Sequence, residues 1–322
     1  MKKTVLRKSL LTAGRRLLIT ADGLAAAMME AFPLAPGDGV KPVSFFFDPE
    51  PPTYHQETND ALQQIVQQLH ATSQADVSVT DEFMSPELPE GTVAYHRVWG
   101  FITADSRWYF SSKQLEADLM AAECNPAISC HFLHINSPGG EAWYLDRLSE
   151  TMRGLVKPVF ALVEQCACSA AYYIGCHAGV IAALTANDEF GCIGTMVETY
   201  DFTEYYNKLG IRHILERSSY SDLKNKMFED LRNGKPEQYI SQVLDPLTLQ
   251  FISEVKACRP ALSQLDMESP VLRGETYDTA HAIENGLADC VMSLPEAFAR
   301  AASMGREWME MEKLKKSALN YV

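Results

Sequence analysis

The chain has 322 residues, of which 47% are hydrophobic and 22% are charged, so its composition is that of a folded globular protein and excludes disorder throughout. Its 28 basic and 42 acidic side chains give a net charge of −14, which disfavours binding to nucleic acid phosphates and to anionic membranes. We therefore expect a substantial core and no nucleic acid partner.

The chain begins with MKKTVLRKSLLTAGRR, which carries six basic side chains and no acidic one, like the start of a secretion signal. Asp22 and Glu30 interrupt the apolar stretch that follows, so no run is long enough to cross a bilayer. We interpret the start as a basic arm followed by an amphipathic helix, and expect no stable membrane insertion.

Residues 34–91 are rich in Pro, Gln, Asp, Glu and Ser and contain one helical stretch, ALQQIVQQLHA. This composition predicts an extended arm or linker that carries a short helix. The packed domain is predicted to begin at GTVAYHRVWGFI, whose alternating apolar residues are typical of a strand.

Strand and helix signals then alternate. In chain order they are helix KQLEADLMAAEC, strand AISCHFLHI, helix EAWYLDRLSETMRGL, strand PVFALV, a helix opening at Ser169, strand VIAAL, helix DFTEYYNKLG, strand RHILE, long helix GKPEQYISQVLDPLTLQFISEVKACR, and helix, strand and helix in DTAHAIENGLADCVMSLPEAFARAAS. Such alternation favours an α/β fold of parallel strands covered by helices. We predict an N-terminal arm over 1–90, one domain over 91–303, and a charged tail over 304–322 that frays or contacts a neighbour.

The eight cysteines form no pair of CxxC motifs, and most of them lie in apolar runs: Cys124, Cys130, Cys166, Cys168, Cys176, Cys192, Cys258 and Cys290. This pattern indicates reduced thiols in a cytoplasmic protein and suggests neither a zinc site nor a disulfide framework. We expect no cofactor and no metal.

Two short segments have the residue types of an acyl-transfer site. In HINSPGGEAW, Gly139 and Gly140 follow a predicted buried strand, where adjacent glycines can aim backbone N–H groups at an oxyanion. In EQCACSAAYYIG, Ser169 lies among small residues that would let a substrate backbone approach. Each segment alone also fits an ordinary turn, and Ser169 alone fits the N-cap of a buried helix.

The order NSPGG, CSAAYY and DEFGCIGT resembles the signal peptide peptidase A family of serine peptidases, and most of all its phage head-maturation protease branch. The resemblance spans about 91–302. It implies a Clp/crotonase-like fold of repeated βαβ units, with Ser169 as the nucleophile and a lysine as the base. It also implies that Gly139 and Gly140, helped by the amide of Ala170, hold the oxyanion. Cys192 stands where the family usually has a serine, and Thr195 could compensate or could be packing.

The identity of the base stays open. An ungapped alignment of MFEDL puts Asp222 where the phage branch usually has lysine, whereas Lys224 lies two residues on and matches the family's spacing from the serine. Lysine must lose its charge in a dry pocket to act as a base. We predict Lys224 as the base, with Lys226 as the alternative, and note that both lysines could instead belong to a solvated loop.

The resemblance further implies peptide substrates held as an added strand, with small or apolar side chains preferred near Cys166 and Met196. It implies a homo-oligomeric ring and work in the host cytoplasm or an assembling phage head, on scaffold or capsid proteins. The alternatives are a catalytically silent scaffold of the same fold, a signal peptide peptidase-like enzyme, and a crotonase-type acyl-CoA enzyme.

Overall fold

The computed structural model describes residues 17–19, 52–72, 76–199, 203–208, 210, 212 and 214–319. Of the stretch predicted to form an amphipathic helix after the basic start, residues 17–19 form a strand, and the remainder lies outside the described residues. Within them, no helix combines the length and apolar content that a membrane crossing needs.

The described strands are β1 Leu17–Ile19, β2 Val79–Thr80, β3 Thr92–Trp99, β4 Ile128–Ser137, β5 Gly139–Glu141, β6 Val159–Cys168, β7 Val180–Ala183, β8 Glu189–Gly191, β9 Thr276–Tyr277 and β10 Cys290–Val291. The described helices are α1 Tyr54–His70, α2 Ser112–Cys124, α3 Leu145–Arg153, α4 Ala170–Gly175, α5 Thr203–Lys208, α6 Lys226–Arg232, α7 Glu237–Tyr239, α8 Asp245–Cys258, α9 Thr279–Glu284 and α10 Leu294–Leu319. A π-helical turn, Ile240–Leu244, joins α7 to α8.

A parallel sheet in the order β10-β7-β6-β4-β3-β2 forms the centre of the molecule. Strand β8 pairs in parallel with the last residues of β6, and β9 pairs with β8 in the antiparallel sense. Nearly every residue of β4 is buried, as expected for a strand covered on both faces. The predicted mixed α/β architecture with a parallel sheet is confirmed, and the Clp/crotonase-like repeat stays a prediction.

Apolar side chains pack on both faces of the sheet. On one face, α1 and α10 cover β3, β4 and β6, where the Phe132 ring stacks on Phe298 and Phe160 at centroid distances of 4.0 and 5.4 Å. On the other face, side chains of α2, α3, α4 and α8 surround residues such as Leu133 and Val163. The two layers hold the strand ends in place, and the candidate site lies at those ends.

Three predictions about secondary structure need correction or refinement. The described residues of RHILE form no strand, and Ile214 and Leu215 are 75% and 51% exposed, so their apolar character does not reflect burial. Helix α10 continues past residue 303 to Leu319 rather than fraying there. The helix predicted within the linker forms as α1, but it packs on the core.

Candidate active site

The ends of β4 and β6 bring the two predicted loops together. Ser137 of β4 pairs with Ala167 of β6, and the two strands are parallel. Gly139 and Ser169 each lie two residues beyond this pair, so both leave the sheet at the same edge. Helix α4, which begins directly after Ser169, lies against β5, which contains both glycines. The structure thus places the predicted nucleophile beside the predicted oxyanion loop.

Ser169 has a strained backbone at this junction. Its φ of 56° and ψ of −120° lie in a region that residues other than glycine rarely occupy. Two backbone hydrogen bonds hold it there: its N–H donates to the Gly191 carbonyl at 2.8 Å, and its carbonyl accepts from the Tyr173 N–H at 2.9 Å. Serine nucleophiles on sharp strand-to-helix turns have this kind of strain. The hydroxyl of an ordinary N-cap serine accepts a hydrogen bond from a helix N–H, and the Ser169 hydroxyl accepts none.

The Ser169 hydroxyl is buried and has no hydrogen-bond partner among the described residues. A buried hydroxyl normally finds a partner, because leaving it unpaired costs about 1–3 kcal/mol. Ala170, whose amide follows the serine, is fully buried. The unpaired hydroxyl is therefore available for a hydrogen bond to a group from outside the chain.

The double-glycine bend depends on close backbone contact at Gly140. A Cβ there would lie 2.1 Å from the carbonyl oxygen of Ile102, so only glycine fits. The Ile102 N–H donates to the Gly139 carbonyl at 3.0 Å, and the Ile102 carbonyl accepts from the Glu141 N–H at 2.9 Å. Because neighbouring residues of a strand direct their polar groups to opposite sides, the amide of Gly140 faces away from Ile102.

The opposite side of the bend is occupied by the chain's own N-terminal segment. Strand β1 pairs with β5 in the antiparallel sense, with Leu18 opposite Gly140. No local pattern in the sequence indicates this pairing. It shows that the edge of the bend accepts an added strand through main-chain hydrogen bonds.

Ser137 also supports the bend, although the sequence did not single it out. Its hydroxyl donates to the Gly100 carbonyl at 2.6 Å and accepts from the Gly139 N–H at 3.1 Å. Ser137 lies two residues before Gly139, and a serine hydroxyl often accepts a hydrogen bond from the backbone N–H two residues on. This spacing is the signal that could have identified Ser137. The Gly139 amide is thus engaged, and the Gly140 amide is the one that faces the strand-accepting edge.

The residues predicted to shape specificity fall in two places. Met196 lines a cavity of about 420 Å³ together with Cys192, Thr195 and Ile252, whereas Cys166 does not line it. The Cys166 sulfur instead contacts Asn136 Oδ1 at 3.6 Å, and burial raises the pKa of this thiol to about 11.

Thr195, the residue weighed as a substitute for the absent serine, is already engaged with the region around α8. Its hydroxyl donates to the Leu244 carbonyl at 2.9 Å and lies 2.6 Å from the Thr248 hydroxyl. Cys192 has a positive φ of 53° and follows Gly191, which binds Ser169. These contacts indicate a packing role for Thr195.

Both candidate lysines have exposed side chains. Lys224 lies in a turn, where its carbonyl accepts a hydrogen bond from Arg217 Nε at 2.7 Å. The Nζ of Lys226 binds both carboxylate oxygens of Asp230, at 2.8 and 2.7 Å. Neither amine bonds the Ser169 hydroxyl, so the structure does not form the predicted dyad by itself.

Three histidines of the domain are engaged with other groups. His134 lies 3.0 Å from the Glu164 carboxylate, and His131 lies 2.9 Å from Glu123. His281 lies 2.8 Å from Asp278 on an exposed helix. His213 lies outside the described residues. None of these three imidazoles bonds the Ser169 hydroxyl.

Comparison with known proteins gives three results. Residues 152–307, just under half of the chain, match the model of peptidase family S49, the signal peptide peptidase A family. No curated protein matches the sequence. Among solved structures, the chain is similar to a lysine-to-alanine mutant of the membrane-bound stomatin-specific protease 1510-N in complex with a substrate peptide. The TM-score is 0.40 and the identity 17%, with coverage of 64% of this chain and 76% of that one. The part of the chain that holds Ser169, Lys224 and Lys226 is therefore the part that matches peptidase family S49.

Proposed function

We propose that the protein is a serine endopeptidase in which Ser169 is the nucleophile. The observation that carries this proposal is the strained, buried and unpartnered serine at a strand-to-helix junction, next to a double-glycine bend. Backbone strain of this kind costs about 1–3 kcal/mol and persists where the surrounding structure enforces it, often for function. The match of residues 152–307 to peptidase family S49 supports the same reaction class.

In the proposed reaction, the Ser169 oxygen attacks the carbonyl carbon of a peptide bond while its proton moves to an uncharged lysine amine. The amides of Gly140 and Ala170 stabilise the oxyanion that forms, whereas the Gly139 amide, also expected to take part, is engaged by the Ser137 hydroxyl. The carbon–nitrogen bond then breaks, and the leaving amine takes the proton from lysine. Water hydrolyses the resulting acyl-enzyme, which releases the second product and restores the serine hydroxyl.

We infer that the substrate binds as an added strand at the edge now paired with β1. The register of β1, with Leu18 opposite Gly140, shows that an antiparallel strand fits this edge. A peptide in that place would lie beside the amide of Gly140. Small or apolar side chains would then be favoured near Cys166 and Met196.

Lys224 is the proposed base, with Lys226 as the alternative. Within the described part of the chain, the Lys224 amine takes part in no ion pair, whereas Lys226 binds Asp230. An amine acts as a base only when uncharged, and burial favours the uncharged form. We therefore propose that the turn at Lys224 becomes covered when a peptide or another subunit binds.

For the biological role, we propose a phage or prophage head-maturation protease that cleaves scaffold or capsid proteins and assembles as a homo-oligomeric ring. This role rests on the order of the NSPGG, CSAAYY and DEFGCIGT motifs. The expected place of action is the host cytoplasm or the assembling head.

The test compares the wild-type protein with Ser169→Ala, Lys224→Ala and Lys226→Ala, using a fluorophosphonate probe and casein. Lys235→Ala, which removes another exposed lysine, is the matched control. We expect Ser169→Ala and Lys224→Ala to abolish both labelling and cleavage, and Lys226→Ala and Lys235→Ala to keep them.

Equal labelling of all variants would refute the serine mechanism. Loss of labelling only with Ser169→Ala and Lys226→Ala would transfer the role of base to Lys226. No labelling of the wild-type protein, alone or with added scaffold protein, would favour the catalytically silent scaffold instead.

A further inference from the structure

A second cluster of reactive side chains lies at the other end of the helix that follows Ser169. Cys176 comes directly after α4, His177 is its neighbour, and Cys258 is the last residue of α8. The two sulfur atoms and one ring nitrogen of His177 all lie within 4.8 Å of one another. The cluster is separate from the candidate active site, and the proposed reaction does not use it.

The imidazole of His177 is held in one orientation. Its Nε2 lies 2.9 Å from Glu254 Oε1 and 3.3 Å from the Ser149 hydroxyl. Glu254 is itself fixed, because Arg153 Nη1 binds its other oxygen at 2.6 Å. The remaining ring nitrogen, Nδ1, lies 3.7 Å from the Cys176 sulfur and 3.2 Å from the Ile174 carbonyl oxygen, a contact that a metal bond to Nδ1 would replace. A carboxylate that binds one nitrogen of a histidine while the other nitrogen faces thiols is the usual support of a metal-binding histidine.

We propose that Cys176, His177 and Cys258 bind one Zn²⁺ ion through two sulfur atoms and Nδ1, with Glu254 as the partner that orients the histidine. Zinc bonds of about 2.3 Å to sulfur and 2.1 Å to nitrogen, in tetrahedral geometry, place neighbouring ligand atoms roughly 3.5–3.8 Å apart. The 3.7 Å between Cys176 Sγ and His177 Nδ1 fits this spacing. Two sulfurs and an imidazole favour zinc over Mg²⁺ or Ca²⁺, which prefer oxygen ligands.

The charge and burial of the cluster also fit a cation. The side chains of His177 and Glu254 are only 2% and 7% exposed, and Cys176 is fully buried. In this dry space a bound Zn²⁺ would balance the charges of two thiolates and of the Glu254 carboxylate.

The ion would join the C-terminal end of α4 to the C-terminal end of α8. Because α4 begins directly after Ser169, this link would fix the helix that carries the serine junction. Its expected role is structural, so its effect appears in stability rather than in the chemical step. The proposed site differs from our expectation of no metal. The sequence did not indicate it, because two of its ligands are adjacent in the chain and the third lies on a distant helix.

The test measures metal in the full-length protein after reduction and removal of loosely bound ions. Elemental analysis after dialysis against Zn²⁺ should find one ion per chain, and Co²⁺ should give a thiolate charge-transfer band and strong visible bands of a tetrahedral complex. We expect Cys176→Ser and Cys258→Ser to lose both signals. Cys290→Ser, which changes a partly buried thiol elsewhere, is the matched control and should keep them.

Glu254→Gln keeps the shape of the partner and should weaken Zn²⁺ binding by about 10- to 100-fold without abolishing it. Circular dichroism checks that each variant is folded, and a folded Cys258→Ser that still binds one Zn²⁺ would overturn the proposal. Absence of stoichiometric metal in the reduced wild-type protein would also overturn it. A disulfide between Cys176 and Cys258 in the isolated protein, together with no Zn²⁺ binding after this disulfide is reduced, would overturn the proposal as well. None of these readouts depends on peptidase activity.

Discussion

The double-glycine bend gives the sharpest prediction, because the structure fixes what a single methyl group would meet. In Gly140→Ala, the new Cβ would lie 2.1 Å from the oxygen and 2.6 Å from the nitrogen of Ile102. Both atoms are backbone, so no side chain can turn away. The carbonyl would have to retreat by about 1.3 Å, from 2.1 Å to the 3.4 Å at which ordinary contact begins.

Such a shift would break the two hydrogen bonds that Ile102 makes with Gly139 and Glu141, which are 3.0 and 2.9 Å long. Each buried pair that is left unsatisfied costs about 1–3 kcal/mol. We therefore expect Gly140→Ala to lose about 2–5 kcal/mol of unfolding free energy, or roughly 10 °C in Tm for a domain of this size. Because the amide of Gly140 faces the proposed substrate edge, labelling of Ser169 should fall at least 10-fold even at temperatures where the variant is folded.

Thermal unfolding and fluorophosphonate labelling measure the two effects separately. Gly179→Ala is the matched control, since its Cβ would find its nearest neighbour at 3.7 Å and its φ is not in the left-handed region. The control should melt within about 1–2 °C of the wild-type protein. Wild-type stability and labelling in Gly140→Ala would refute the close contact with Ile102, and with it the described geometry of the bend.

Three further predictions concern the core, the response to acid and the N-terminal strand. Phe132→Ala should destabilise the protein by about 3–5 kcal/mol in denaturant unfolding, because the ring is fully buried and stacks on Phe298; a loss below about 1 kcal/mol would contradict that packing. Burial would raise the pKa of Glu254, but hydrogen bonds to His177 and Ser149 and the charge of Arg153 lower it to about 2. The ionised carboxylate therefore stabilises the folded protein above about pH 4.5, and this contribution is lost as the pH falls toward 2. The stability gap between wild type and Glu254→Gln should therefore reach up to about 3 kcal/mol near pH 6 and shrink in acid, and a gap independent of pH would contradict the shift. Leu18→Pro should weaken the pairing of β1 with the bend and raise the rate of fluorophosphonate labelling by up to about 10-fold, whereas an unchanged rate would show that β1 does not limit access.

The sequence predicted those parts of the fold that depend on local pattern. The apolar runs of β4 and β6 identified buried parallel strands, and the adjacent glycines and small residues around Ser169 identified the two loops. The α/β alternation also indicated that these strands are parallel. These inferences succeeded because burial on both faces leaves a strong and continuous signal in the chain.

Other features depend on contacts between distant segments, and no local pattern reveals them. RHILE has the apolar residues of a strand, but Ile214 and Leu215 are exposed in the structure. The pairing of β1 with the bend joins residues more than a hundred positions apart. The cluster around His177 likewise becomes visible only when α8 packs against the end of α4. Backbone strain at Ser169 is a torsional property, which residue types alone do not specify.

The two halves of the proposed dyad are held in very different ways, and this difference bears on regulation. Ser169 is fixed by backbone hydrogen bonds to Gly191 and Tyr173 and by the buried strand β6, so its position is set before any substrate arrives. Lys224 lies in an exposed turn, and its amine does not bond the Ser169 hydroxyl. A preorganised nucleophile with an exposed base is inert until something buries the base. Cleavage would then be limited to the moment when a peptide or a neighbouring subunit covers the turn, which is what a protease that must not act before assembly requires.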